Sequence, residues 1–256
     1  VLSIFSETYP EVQLTILSRA FFKPFFQDFT NVVFLEADVN DKHKGFMGLL
    51  KLSKEANSLE VDAVADLHNI IRSKVITLYL KLLGKKTATL NKGRKEKKSL
   101  TRVKNKTLKQ LKTTHQRYAD VFETLGFPID LTNFKPSPKK EYNKNILKLV
   151  GKKNKIAIGI APFAAYKSKM YPLELIKKVI ADLNKEDQYQ IVLFGGGTKE
   201  RNQLDTFKNE FTSVINTAGK LKFTEELALI SNLDVMISMD SGNGHLGAMY
   251  GIPIIS

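Results

Sequence analysis

The chain has 256 residues, 43% hydrophobic and 26% charged, which is the balance of a soluble globular protein with room for one large or two ordinary domains. It contains no cysteine, which excludes disulfides and thiolate metal sites, and its histidines, His43, His68, His115 and His245, are too scattered for a metal cluster. The net charge of +14 is local: between Lys85 and Lys112 twelve Lys/Arg face Glu96 alone, whereas from Gly151 onward thirteen face eleven acids.

Short β-branched runs alternate with helical spacing from the start. Val12–Ser18, Val32–Leu35 and Val61–Leu67 read as buried strands. Phe21–Phe29, Gly45–Ser58 and Ile70–Leu83 read as the helices between them, and Thr107–Leu125 as a longer amphipathic helix stopped by Gly126. Three prolines and a basic, asparagine-rich run mark residues 128–153 as a linker. The alternation then restarts, with strands at Lys155–Ile160, Gln190–Phe194, Val214–Asn216, Asp234–Ser238 and Ile252–Ile255. Helices are expected at Leu173–Leu183, Arg201–Phe211, Thr224–Ser231 and His245–Tyr250. This predicts an α/β protein of two Rossmann-like lobes with parallel sheets, residues 1–127 and 154–256, and a cleft between them.

In parallel α/β sheets ligands bind beyond the carboxyl ends of the strands, so three loops of the second lobe matter most. The first, after Ile160, carries Ser168 and Lys169 ahead of a helix, where a lysine can neutralise phosphate. The second is Gly195-Gly196-Gly197-Thr198, which is equally well a plain turn. The third, Met239-Asp240-Ser241-Gly242-Asn243-Gly244-His245, packs more small and polar residues than capping requires and suits a diphosphate at a helix N-terminus.

The run DSGNGHLGAMYGIPII resembles the signature of the heptosyltransferases, glycosyltransferase family 9. SKMYPLE, IVLFGGGTKE and DLHNIIRSKVI are similar to further segments of that family, in the same order along the chain. The resemblance implies a GT-B fold and a metal-independent, inverting transfer of heptose from a nucleotide-sugar, ADP-heptose, to the anionic inner core of lipopolysaccharide. It implies no cofactor and no nucleic-acid partner. It also implies a cytoplasmic enzyme, peripheral on the inner membrane of a Gram-negative bacterium. Carried over by position, Lys169, Ser168, Asp240, Ser241, Gly242 and His245 bind the donor, with Glu225 or Thr224 on the ribose. Asn243-Gly244 and Met170-Tyr171 depart from the family pattern and put the donor's identity in question.

The acceptor would meet Lys44, His68, Arg72 and Arg94 in the first lobe. The family's basic aspartate would lie before Val1, in a segment this chain lacks, so Asp66 is the carboxylate left to consider and the chain is expected to bind better than it catalyses. A non-catalytic nucleotide-binding relative is one alternative. A nucleic-acid-binding protein is another, since the basic strip permits it, although no aromatic residues interleave with the lysines.

Overall fold

The first half of the chain builds two pairs of parallel strands flanked by helices. In the computed structural model, which describes every residue except Thr212, the chain forms two units, Val1–Phe134 and Lys135–Ser256. The first unit opens with α1 (Leu2–Thr8), β1 (Leu14–Ser18), β2 (Val32–Glu36) and α2 (Gly45–Asn57). It continues with β3 (Ala63–Asp66), α3 (Ile71–Leu82), β4 (Lys86–Thr89), α4 (Arg94–Leu100) and α5 (Thr114–Leu125). β1 pairs with β2 and β3 with β4, both in parallel. A core of Ala37, Leu49, Leu52, Ala56, Ile76 and Leu80, with Leu17, Leu35 and Val64 packed against it, joins β1, β2 and β3 to α2 and α3.

Several elements differ from the sequence expectation. Residues Ala20–Phe26 form a 3₁₀ helix, because Pro24 removes a donor that an α-helix over Phe21–Phe29 needs. β4 lies inside the basic strip, where Thr87, Ala88 and Thr89 pair with Val64, Ala65 and Asp66. The long helix over Thr107–Leu125 starts instead at Thr114, capped by the Thr113 hydroxyl, which accepts from the Gln116 N–H at 3.1 Å. Lys104, Lys106, Lys109 and Lys112 would stand at the positive end of the longer helix, and that repulsion disfavours it.

The second unit holds α6 (Lys144–Val150), β5 (Ile156–Ala161), α7 (Leu173–Leu183), β6 (Tyr189–Leu193) and α8 (Gly197–Glu210). β7 (Ile215–Asn216), α9 (Phe223–Ile230), β8 (Val235–Ser238), α10 (Gly242–Met249) and β9 (Ile254–Ile255) complete it. Its five strands run parallel in the order β7-β6-β5-β8-β9. The strand order reverses direction at β5, so the carboxyl ends of β5 and β8 form the topological switch point. Ile160, Ile176, Ile180, Leu193 and Leu204 fill the core beneath them.

The stretch read as a linker is structured from Lys135 onward as part of this unit. Asn143 caps α6 by accepting from the Ile146 N–H at 3.0 Å, and Ile146 and Val150 are buried. The Lys140 N–H donates to Ser231 Oγ at 3.0 Å, and the Ser137 N–H donates to the Met249 carbonyl at 2.9 Å.

Candidate functional site

The switch point carries a concave site. Its volume is about 210 Å³, and Ala161, Phe163, Ala165, Gly196, Glu200, Ser241, Gly242 and Asn243 are among the residues lining it. Three strand ends contribute, those of β5, β6 and β8, and two of its walls are the N-termini of α8 and α10. At α10 the N-cap residue Ser241 leaves the first amides uncapped by its side chain, since its hydroxyl lies 3.1 Å from Ser238 Oγ instead. Open amides at the positive end of a helix attract an anion. Gly244 fits because a Cβ there would stand 3.0 Å from Ser238 Oγ, whereas Gly242 borders open space.

The sequence-selected residues of this unit fall into two groups. Lys169 and Asp240 meet, with Lys169 Nζ 2.5 Å from Asp240 Oδ2, and His245 Nε2 lies 3.8 Å from Asp240 Oδ1. The hydrogen bond from Lys169 and its positive charge hold the Asp240 carboxyl below the usual carboxylate range, and Asp240 raises the Lys169 ammonium in return. Both side chains are about half exposed, so the contact is readily exchanged. Ser168 precedes Lys169 on an exposed 3₁₀ turn, and Ser241 and Gly242 line the concavity.

Glu225 stands apart. It is 6% exposed, and its Oε1 accepts from the Asn143 and Asn145 side-chain amides at 2.8 and 2.9 Å, while Oε2 accepts from the Lys222 N–H at 2.8 Å. Those bonds, Asn143 first, hold its carboxyl below the usual carboxylate range and tie α6 to α9. Neither Glu225 nor the exposed Thr224 is among the lining residues. The acid that does line the site is Glu200, whose Oε2 accepts from the Gly196 N–H at 2.7 Å. Sequence reading passed over it. The signal was there in the placement of a glutamate one turn into the helix that follows the glycine turn.

In the first unit the acceptor candidates each follow a strand end. Lys44 precedes α2 after β2, His68 and Arg72 follow β3, and Arg94 opens α4 after β4. All four are exposed, and among the described residues none of them forms an ion pair. Asp66 is different, being 4% exposed. Its Oδ1 accepts from the N–H groups of His68 and Asn69 at 3.0 and 2.7 Å, and its Oδ2 is enclosed without a partner. It pins the turn from β3 to α3. Among the described residues no group of His, Asp or Glu could hold a metal ion, and no helix is long and apolar enough to cross a membrane.

The model of glycosyltransferase family 9 (heptosyltransferase) matches residues 49–256, which takes in the whole of this switch-point site. The chain belongs to glycosyltransferase family 9. Among solved structures, the family 9 glycosyl transferase from Veillonella parvula aligns over 99% of this chain and 74% of its own, with TM-score 0.74 and 19% identity. The Escherichia coli heptosyltransferase WaaC, solved with ADP, aligns over 99% and 79%, with TM-score 0.69 and 14% identity. E. coli ADP-heptose LPS heptosyltransferase II aligns over 98% and 77%, with TM-score 0.67 and 16% identity. At these identities the likeness is one of fold, and it is the GT-B heptosyltransferase fold with parallel sheets expected from the sequence. No curated protein matches this family 9 chain in sequence.

Proposed function

We propose that this glycosyltransferase moves a heptose from ADP-heptose, bound by its second unit, to the anionic inner core of lipopolysaccharide, met by its first. One observation carries the donor half. The concave site at the ends of β5, β6 and β8 combines uncapped α10 amides with one acidic wall, and beside it Lys169 is paired with the half-exposed carboxylate of Asp240, the neighbour of the lining residue Ser241. WaaC, solved with ADP and with ADP-2-deoxy-2-fluoro heptose, supports the choice of nucleotide.

The site divides by charge. A diphosphate belongs at Ser241-Gly242-Asn243, where Lys169 exchanges Asp240 for phosphate oxygens. Those positive groups stabilise the charge that builds on the leaving diphosphate as the glycosidic bond breaks, which is the electrostatic part of an inverting, metal-independent transfer. Glu200, whose carboxylate repels phosphate, suits the ribose hydroxyls, the role that an acid near the second strand plays in dinucleotide folds. It takes the place that sequence reading gave to Glu225. On the acceptor side Lys44, His68, Arg72 and Arg94 are exposed donors for phosphate and carboxylate groups of the core.

Calorimetry with ADP, UDP, GDP and CDP tests the donor reading, and ADP is expected to bind best. Equal binding of all four, or none, removes it. Wild type should also prefer ADP to 2′,3′-dideoxy-ADP, and Glu200→Ala should bind the two alike.

A further inference from the structure

Among the residues lining the switch-point concavity, Glu200, Ser241 and Asn243 have polar side chains, and the others are alanine, phenylalanine and glycine. Two of those polar side chains are already committed. The Glu200 carboxylate only accepts, and its Oε2 takes the Gly196 N–H at 2.7 Å. The Ser238 hydroxyl donates to the Met239 carbonyl at 2.9 Å, so in the 3.1 Å contact between the serines Ser241 is the donor and Ser238 the acceptor. Ser241 therefore offers the cavity an acceptor and no proton.

Asn243 is different. Its carboxamide forms no hydrogen bond among the described residues. It is thus an uncommitted side chain on this wall that both donates, through Nδ2, and accepts, through Oδ1. The backbone fixes where it stands. Asn243 is the second residue of α10, whose first turn lies so close to β8 that a Cβ on Gly244 would stand 3.0 Å from Ser238 Oγ. Gly242 and Gly196, both in the lining, border open space, so neither puts a side chain into the cavity.

On the nucleotide-sugar reading of this site, the parts of the ligand differ in the partners they need. A diphosphate only accepts hydrogen bonds, and the N–H groups that open α10 meet it without help from a side chain. Sugar hydroxyls donate and accept at once, as a carboxamide does. With the ribose on Glu200 of α8 and the diphosphate at the start of α10, the transferred sugar falls on the α10 side. We propose that Asn243 is a specificity-determining residue, its Nδ2 donating to and its Oδ1 accepting from hydroxyls of the transferred sugar. Position 243 is one at which the sequence departs from the family pattern, so this contact belongs to this chain and not to the signature as a whole.

Calorimetry of the full chain with ADP, ADP-heptose and ADP-glucose tests it. Wild type is expected to bind one of the two nucleotide-sugars more tightly than the other and more tightly than ADP. Asn243→Ala keeps the backbone N–H of the diphosphate seat. It should weaken the preferred nucleotide-sugar by about tenfold more than it weakens ADP, which corresponds to losing two neutral hydrogen bonds. Circular dichroism melts of wild type and variant should coincide, because the amide makes no bond within the chain. An equal loss for ADP and the nucleotide-sugar overturns the proposal, since the amide then serves the phosphates. So does a variant that keeps the wild-type preference, or a wild type that binds all three ligands alike. Wild type that binds none of the three removes the donor reading itself, and this role of Asn243 with it.

Discussion

At the scale of single residues, the proposed donor reading turns on Lys169, which is paired with Asp240 yet about half exposed. Lys169→Ala is expected to weaken ADP binding by about tenfold or more while leaving adenosine within about twofold, because a point charge serves only the phosphates. Calorimetry with both ligands checks this. Tyr142 supplies a pH signal of a different kind. Burial, helped by the negative charge of Asp234, pushes its hydroxyl up to about 12. A raised value means that folding favours the neutral phenol, so its contribution is complete below the ordinary tyrosine value of about 10 and is lost as pH rises toward 12. Urea melts across that window should show falling stability, and Tyr142→Phe should flatten the fall. Lys169, Asp240, Ser241 and Gly242 were legible in the sequence because spacing places them after strands β5 and β8. Glu200 was not, since an acid there looks like an ordinary helix-start residue until the glycine turn folds back on it. The surroundings of Glu225 were hidden for the opposite reason. Its capping-box position is visible in the sequence, but the two asparagines that complete its shell come from a segment read as linker.

Among the elements, α2 depends on an unusually close approach. The backbone of His43 runs so near Gly48 that a Cβ there would stand 2.3 Å from the His43 carbonyl carbon. His43 itself is 1% exposed, with Nδ1 accepting from the Asp38 N–H at 3.0 Å and Nε2 facing Glu55 at 3.2 Å. Backbone atoms cannot swing aside as a flexible side chain would. Gly48→Ala should therefore destabilise the protein by about 1–3 kcal/mol, read as a lower chemical-denaturation midpoint. The elements that apolar periodicity dictates, β1, β2, β5, β6, α3 and α7, lie where the sequence places them to within a few residues. β4 escaped because Lys85 and Lys86 hide a strand that is recognised only by its partner, and α6 because asparagine and lysine around its cap resemble loop composition. Local charge masked two elements that pairing and burial settle.

For the molecule as a whole, the straps from Lys135 to Val150 set where the second unit starts. A chain of residues 135–256 is expected to melt cooperatively, whereas residues 154–256 should melt lower or not fold. The shorter piece loses the Ile146 and Val150 packing and strips Glu225 of both amides. Circular dichroism melts of the two pieces make the comparison. The contact between Lys169 and Asp240 also has a consequence for the proton content of the entire protein. In the free protein the lysine keeps Asp240 ionised at pH values where an ordinary carboxyl begins to protonate. A diphosphate that captures the lysine leaves Asp240 beside new negative charge, and its affinity for a proton rises. Nucleotide binding near pH 4 should then be accompanied by proton uptake, and the heat of binding should vary with the ionisation enthalpy of the buffer. Near neutrality this group contributes no such exchange. In Lys169→Ala the uptake should shrink, leaving only the effect of the new negative charge, so a mildly acidic titration of both proteins in two buffers would show, in protons, how far the lysine changes partners.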